Sequence, residues 1–151
     1  MWTRFLTELV QIGSGILAGG LVMVAASDLP VFRALSPGAY IQVHQTKDRY
    51  IDRYMPHTAV VTVLAGLALA VLRTGTWARA LVVAGVLLTV GVGVISETGN
   101  KPINRKVQSW DPAAPPPEVA DVRRRWPRFH LWRTAAGTLA LITFAAAAAL
   151  E

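Results

Sequence analysis

Cysteine is absent from this chain of 151 residues, and charged residues make up only 16% of it. Without thiols the protein has no disulfide, no zinc–thiolate or iron–sulfur centre and no cysteine nucleophile. Hydrophobic residues account for 53% of the sequence and stand in long uninterrupted blocks. Such blocks exceed what the core of a soluble domain needs, so the composition predicts one integral membrane domain spanning residues 1–151.

The few charges are mostly basic, and the net charge is +6. A basic chain can bind nucleic acid, but here the aromatic residues do not alternate with basic ones as they do on a base-stacking surface. The basic residues instead flank apolar segments, which is typical of contacts with anionic lipid headgroups. The predicted partner is therefore the lipid bilayer, and no nucleic acid is expected.

Four segments approach the roughly 20 apolar residues that a membrane-spanning helix needs: 9–27, 57–72, 78–96 and 131–150. Asp28 and Pro30 are expected to end the first. The helical pattern of the second extends back to Pro37, so helix 2 has a long polar beginning. The proline-rich and arginine-rich segment 97–130 is predicted to be a solvated loop. The predicted fold is all-α, a bundle of four transmembrane helices.

The basic residues are unevenly divided between the two ends of this bundle. Arg4, Arg73 and Arg79 lie at one end, and the other twelve of the 15 lysines and arginines lie at the opposite end. The positive-inside rule then places loops 1 and 3 in the cytoplasm and both termini outside.

Small residues recur in two of the spans. Gly15-x-x-x-Gly19 lies in the first, and Gly85, Gly91 and Gly93 lie in the third. In lipid, such residues let helix backbones approach closely. We interpret them as packing positions within one bundle, with association into a homo-oligomer as the alternative.

Ionisable residues near membrane depth are costly, and they mark candidate functional positions. Tyr40, His44 and Asp48 follow one another at four-residue steps, so they share one face of helix 2. His57 lies thirteen residues after His44, roughly 220° around a helix. The two histidines can face one site only if the helix breaks at Met55-Pro56.

Polar residues also follow the third span. Glu97 closes the apolar run and needs a partner, while Asn100 and Asn104 flank a proline. Pro102 disfavours helix at Lys101, so the chain is expected to loosen here.

A third cluster begins the fourth span, where Trp126, His130, Trp132 and Arg133 supply aromatic anchors with an imidazole and a guanidinium. All three clusters lie at the basic end of the bundle, which predicts a site there. An interfacial aromatic belt, or a solvated face of helix 2, would explain some of these residues equally well.

Three of these features carry a resemblance to a known family: Asn100-x-Pro102-Ile103-Asn104, Trp132-Arg133, and the polar start of helix 2 from Gln42 to Met55-Pro56. The chain resembles the small four-helix membrane proteins, long filed as a domain of unknown function, that include the anthrone oxygenases of polyketide biosynthesis. The resemblance implies a monooxygenase that oxidises a lipophilic aromatic substrate with dioxygen and requires no cofactor.

Such a reaction needs a base and a group that stabilises the enolate. The predicted base is His44 or His130, oriented by Asp48 or Glu97, with His57 as a further candidate. The predicted substrate-binding residues are Tyr40, Asp48, Asn100, Asn104, Trp132 and Arg133. We also expect His44, Glu97 and His130 to converge at the cytoplasmic end of the bundle.

Two alternatives remain open from the sequence. His44, Asp48, Glu97 and His130 form a nitrogen and oxygen ligand set that suits iron or copper. The chain could also be a non-enzymatic membrane protein, either transporter-like, ligand-binding or an accessory subunit. An enzyme predicts an enclosed cavity, whereas a carrier predicts a path open to both sides of the membrane.

Overall fold

The computed structural model describes residues 1–51 and 54–150, and within these ranges the ordered elements are all helices. The α-helices in chain order are α1 (Trp2–Met23), α2 (Leu29–Ala34), α3 (Pro37–Ile51), α4 (Met55–Leu72), α5 (Thr76–Ile95), α6 (Lys101–Gln108) and α7 (Val119–Ala148). Two π-helical turns, Val24–Asp28 and Ser96–Asn100, join α1 to α2 and α5 to α6.

Four continuous helices are long and apolar enough to cross a membrane: Trp2–Ala34, Met55–Leu72, Thr76–Gln108 and Val119–Ala148. This confirms the predicted fold class. α1 packs against α4 and α7, and α5 packs against the same two helices, so the four form a closed ring. Apolar side chains such as Ile12, Leu64 and Leu87 point outward. In a membrane protein these outward residues meet lipid.

The bundle has two separate hydrophobic cores. The membrane half is packed by Val10, Ala65, Leu69, Val82, Val86, Ala140, Phe144 and Ala147. The second core joins α2, α3, α6 and residues 119–130 of α7, which we call the head; it contains Phe32, Tyr40, Ile41, Ile103, Val107, Val119, Val122 and Trp126. Of the polar residues singled out in the sequence, His44, Asn104 and His130 contact Trp126 of this second core.

The first long helix does not end at Asp28 and Pro30, contrary to our expectation. It widens into a π turn, in which the Leu29 N–H bonds to the Val24 carbonyl, and then continues to Ala34. A proline breaks an α-helix because it lacks an N–H and its ring crowds the carbonyl four residues earlier. A π turn just before the proline changes the hydrogen-bond register and lets the helix continue.

A π turn also explains why the predicted loop at 97–130 is wrong. The Lys101 N–H bonds to the Ser96 carbonyl across the second π turn, and the helix then runs through Pro102 to Gln108. α7 begins at Val119, well before the predicted start of the fourth span. Only the stretch 109–118 is non-helical, so most of the predicted loop is helix.

Helix 2 is divided into two helices. α3 ends at Ile51, and α4 begins at Met55 with Pro56 in its first turn. α3 can therefore leave the axis of α4, and it packs against α6 in the head.

The predicted glycine packing is right at Gly85 and wrong at the other four positions. A Cβ at Gly85 would lie 2.7 Å from the Phe144 ring, so this glycine lets α5 approach α7. Gly15, Gly19, Gly91 and Gly93 have no neighbouring atom within 4 Å of such a Cβ. The close approaches between helices occur instead at Gly13, Gly66 and Gly137.

Candidate functional site

A cavity of about 110 Å³ lies where the membrane helices meet the head. Toward the membrane its walls are apolar, with Leu17, Leu21, Ala59 and Val92. Toward the head they carry polar side chains, from Ser96, Asn100, Lys101, Asn104, His130 and Arg133. A ligand with an apolar body and a few polar groups fits this division.

A second cavity of about 40 Å³ adjoins the first on the side of α3. Val24, Asn104 and Arg133 line both cavities, so these three residues form the junction. The smaller cavity is also lined by His44, Phe32, Trp126, Asp48, Asp28 and Lys47. Lys47 and Asp28 form an ion pair there, which ties α3 to the first π turn.

Asn104 is the centre of the polar network at this junction. Its Nδ2 donates to the Asp48 carboxylate. Its Oδ1 accepts from Trp126 Nε1 at 2.7 Å and lies 3.1 Å from His44 Nε2. Gln108 Nε2 donates to the other oxygen of Asp48 at 3.2 Å. Three helices, α3, α6 and α7, thus meet at one amide.

This network fixes the proton positions on His44. An indole nitrogen only donates and a carboxylate only accepts, so the Asn104 amide has its oxygen toward Trp126 and its nitrogen toward Asp48. His44 Nε2 faces that oxygen and must therefore carry a proton. The lone pair then lies on Nδ1, which is buried and has no hydrogen-bond partner among the described residues.

The surroundings keep His44 neutral. Its ring stacks on Phe32, with centroids 5.6 Å apart, and contacts the edges of Tyr40 and Trp126. Burial lowers the pKa of His44 to about 4, and the hydrogen bond with Asn104 only partly opposes this. Burial also raises the pKa of Asp48, against the opposing hydrogen bonds from Gln108 and Asn104. At neutral pH, His44 is therefore a neutral imidazole, with its one ring proton on Nε2.

His130 is also buried, but unlike His44 it has both ring nitrogens in hydrogen bonds. Its ring lies parallel to Trp126, with centroids 5.1 Å apart. Its Nε2 donates to the Leu21 carbonyl at 3.0 Å, and its Nδ1 accepts from Arg133 Nε at 3.1 Å. Both ring nitrogens are thus used within the protein, so His130 links α7 to α1 and orients Arg133.

The structure brings both His44 and His130 into contact with the Trp126 ring, but Glu97 takes a different position. Glu97 lines the larger cavity, is exposed, and pairs with Lys101 one helical turn later. His57 lies exposed on the first turn of α4 and is not among the residues that line the larger cavity.

The predicted binding residues fall into two groups. Asn100, Asn104 and Arg133 line the larger cavity. Trp132 points outward and is 69% exposed, and Tyr40 is buried beside His44 with Arg123 over its ring. Burial raises the pKa of the Tyr40 phenol, so it stays protonated. The position of Trp132 suits an anchor at the lipid surface, and the position of Tyr40 suits packing within the head.

The sequence singled out Trp126 as an aromatic anchor of the third cluster but did not predict its contacts with His44, Asn104 and His130. Trp126 lies one helical turn before His130, and this four-residue spacing was the available signal. The two glutamines that hold α3 to α6 were missed. Gln45 Nε2 donates to the carbonyls of Val107 and Trp110, each at 2.9 Å, and Gln108 Nε2 donates to the Gln45 carbonyl.

The alternative ligand set for iron or copper is not assembled here. Within residues 1–51 and 54–150, no three histidine or carboxylate side chains form a cluster that could hold a metal ion. Of the four predicted ligands, Glu97 pairs with Lys101 and His130 has both nitrogens hydrogen-bonded. The cofactor requirement remains a prediction.

A family model described as anthrone oxygenase matches residues 48–143. This range includes Asp48, Asn104, Trp126 and Arg133 but begins after His44. No curated protein and no solved structure gives a significant match.

Proposed function

Because the chain belongs to the anthrone oxygenase family, we propose that it is a membrane-bound monooxygenase that oxidises a lipophilic aromatic ketone with dioxygen. The observation that carries the proposal is the buried Nδ1 of His44, which has no hydrogen-bond partner in the described part of the chain. His44 is a residue of the smaller cavity, which joins the larger cavity at Asn104 and Arg133. A neutral imidazole with a free nitrogen is what a general base requires.

The substrate class has an acidic methylene between two aromatic rings, opposite a carbonyl. His44 Nδ1 removes one proton from that carbon, and the electron pair moves to the carbonyl oxygen as an enolate. A base whose conjugate acid has a pKa of about 4 is weak. The enolate must therefore be strongly stabilised, and the positive charge of Arg133 at the junction of the cavities supplies this.

Dioxygen completes the reaction without a further reductant. The enolate transfers an electron to dioxygen, and recombination forms a carbon–oxygen bond and a peroxide, which takes the proton back from His44. Removal of the second proton of the methylene then breaks the O–O bond, giving a carbonyl and releasing hydroxide. Hydroxide takes the proton from His44 to leave as water, so one CH₂ group and one O₂ become one C=O group and one H₂O.

The shape of the bundle supports an enclosed site over a transport path. The larger cavity lies near the head, and beyond it the membrane half is closed by buried Val10, Leu69, Val82 and Phe144. The cavity is smaller than the roughly 300 Å³ of typical ligand sites. Met23 and Met55 lie in its lining, and these flexible side chains must shift to admit three fused rings.

The test compares two histidines that differ in burial. The purified protein in lipid nanodiscs is supplied with anthrone, and dioxygen uptake is measured above the uncatalysed rate. We expect His44→Gln to lower kcat by about 100-fold or more, the usual contribution of a general base. His57→Gln, at the exposed histidine, should stay within about twofold of the unsubstituted protein.

Two results would contradict the proposal. One is a wild-type protein that does not accelerate dioxygen uptake, which would favour a non-enzymatic ligand-binding role. The other is a fully active His44→Gln variant, which would place the base elsewhere.

A further inference from the structure

The polar half of the larger cavity contains many donors, and its buried acceptors are almost all in use; the carboxylate of Glu97 is exposed to solvent and pairs with Lys101. Lys101 and Arg133 are cationic donors. Asn104 Oδ1 already accepts from His44 and Trp126. His130 Nδ1 accepts from Arg133, and Ser96 Oγ donates to the Val92 carbonyl and accepts from Arg133 Nη1 at 3.4 Å.

Asn100 is the exception. It is 1% exposed, and it lines the cavity from the end of the second π turn. Its Nδ2 donates to the Trp126 carbonyl at 3.3 Å, and this bond fixes which way the amide is turned. Its Oδ1 is buried and has no hydrogen-bond partner among the described residues.

A buried acceptor without a partner is costly, so such a group in a cavity wall normally meets a donor on a ligand or a water molecule. A ketone has only acceptor oxygens, and these suit Arg133 and Lys101 but not Asn100. A phenolic hydroxyl is the donor that an aromatic ligand most simply supplies.

We propose that Asn100 Oδ1 accepts a hydrogen bond from a phenolic hydroxyl of the substrate, and that Asn100 selects hydroxylated aromatic ketones over ketones without a free hydroxyl. This inference rests on the proposed function because it takes the larger cavity as the substrate site. A site built to pair a ligand hydroxyl discriminates strongly against the analogue that leaves the acceptor unpaired.

The test measures equilibrium binding, so it does not depend on turnover. The protein in nanodiscs is titrated with a monohydroxylated anthraquinone whose hydroxyl is remote from both carbonyls and has no internal partner. The matching methyl ether is titrated in parallel, and tryptophan fluorescence reports binding. We expect the hydroxyl compound to bind about 5-fold to 150-fold more tightly, the range for leaving one buried acceptor unpaired.

Asn100→Leu keeps the approximate volume of the side chain and removes the acceptor. In this variant the ratio of the two affinities should fall to about one, mainly through weaker binding of the hydroxyl compound. Thr98→Val, on the exposed side of the same π turn, should keep the wild-type ratio.

Equal binding of both compounds by the wild-type protein would overturn the inference. It would indicate that Asn100 Oδ1 accepts its hydrogen bond from a water molecule. A ratio that persists in Asn100→Leu would also overturn the inference. The ratio of the two affinities in the wild-type protein tests the inference by itself. The test therefore does not depend on whether the variant folds. If both compounds bind equally while anthrone is still oxidised, only this inference fails. If the hydroxyl preference holds without any oxidation, the proposed function fails instead.

Discussion

Asn104 connects the protonation of the site to the packing of three helices. Its amide is turned by a tryptophan that only donates and a carboxylate that only accepts. The orientation then dictates which nitrogen of His44 carries a proton. A side chain that takes no proton itself can in this way control the base, much as a carboxylate sets the tautomer of a catalytic histidine elsewhere.

We therefore expect Asn104→Ala to abolish most activity while the protein remains folded and inserted in the membrane. The loss should be about 100-fold or more because His44 can then adopt the other tautomer. The free energy of unfolding should fall by about 1–3 kcal/mol for each buried partner left unpaired. Ser109→Ala, at the exposed end of α6, is the matched control. Dioxygen uptake and thermal unfolding report the two effects, and a fully active Asn104→Ala variant would show that the amide is structural.

The buried state of His44 also predicts a pH dependence of stability. Its pKa is about 4 in the folded protein and near 6.5 when exposed. Between these values the unfolded chain binds more protons, so the free energy of unfolding falls as the pH falls from 6.5 toward 4. The contribution is roughly 3 kcal/mol across the whole interval. Thermal unfolding at pH 7 and pH 5 should show this loss.

His44→Gln separates this effect from other titrations. Asp48 titrates in the opposite sense, because a raised carboxyl pKa makes the folded state bind more protons as the pH falls. Asp48 is present in both proteins, so the difference between wild type and variant isolates His44. An identical pH response in the two proteins would mean that folding does not lower the pKa of His44.

For individual residues, helical spacing alone predicted that His44 and Asp48 share one face, and both side chains lie against Asn104. Asn104 was identified by its motif. The position of Trp126 and the engagement of both His130 nitrogens depend on how α1, α6 and α7 meet in space. No local pattern contains that information.

Among the helices, the two π turns determine where the polar side chains lie. A π turn holds one more residue than the α-helical turn it replaces. Compared with an uninterrupted α-helix of the same sequence, every residue after the π turn therefore points in a direction about 100° away. The second π turn therefore sets the direction in which α6 presents Lys101 and Asn104 to the cavity.

Deleting Thr98 should convert this π turn into regular α-helix. Because the deletion removes the one residue by which the π turn exceeds an α-helical turn, α6 keeps its direction, and we expect activity and helical content to be retained. Inserting one alanine beside Thr98 lengthens the helix by a residue, rotates Asn104 away from His44 by about 100° and should abolish activity while helical content is retained. Circular dichroism and dioxygen uptake distinguish the two variants. An active insertion variant would show that α6 does not need this register.

The glycines provide a matched pair for packing between helices. Gly85→Ala places a methyl group 2.7 Å from the Phe144 ring and should destabilise the protein by about 1–3 kcal/mol. Gly15→Ala meets open space and should change the unfolding temperature little. Equal effects in unfolding assays in detergent would contradict the packing of α5 against α7.

Element boundaries were the weakest part of the sequence prediction. Pro30 and Pro102 are usual helix-ending signals, but each follows a π turn that lets the helix continue. A π turn depends on the packing on both sides of the inserted residue, and it has no strong local signal. The apolar runs, in contrast, located all four spans.

For the whole molecule, orientation in the membrane remains a prediction from charge. Twelve of the 15 basic residues lie at the head end, so we expect the head in the cytoplasm and both termini outside. Fusions to the C-terminus of a reporter that is active only outside the cytoplasm should be active. A C-terminal reporter active only in the cytoplasm would reverse this orientation.

The placement of the larger cavity has a consequence for how the activity must be measured. Its apolar wall is formed by Leu17, Ala59 and Val92, which lie within the spanning helices. A lipophilic compound partitions into the bilayer before it meets that wall. The rate should therefore follow the mole fraction of the compound in lipid, so adding empty vesicles at a fixed total amount of compound will slow the reaction by surface dilution.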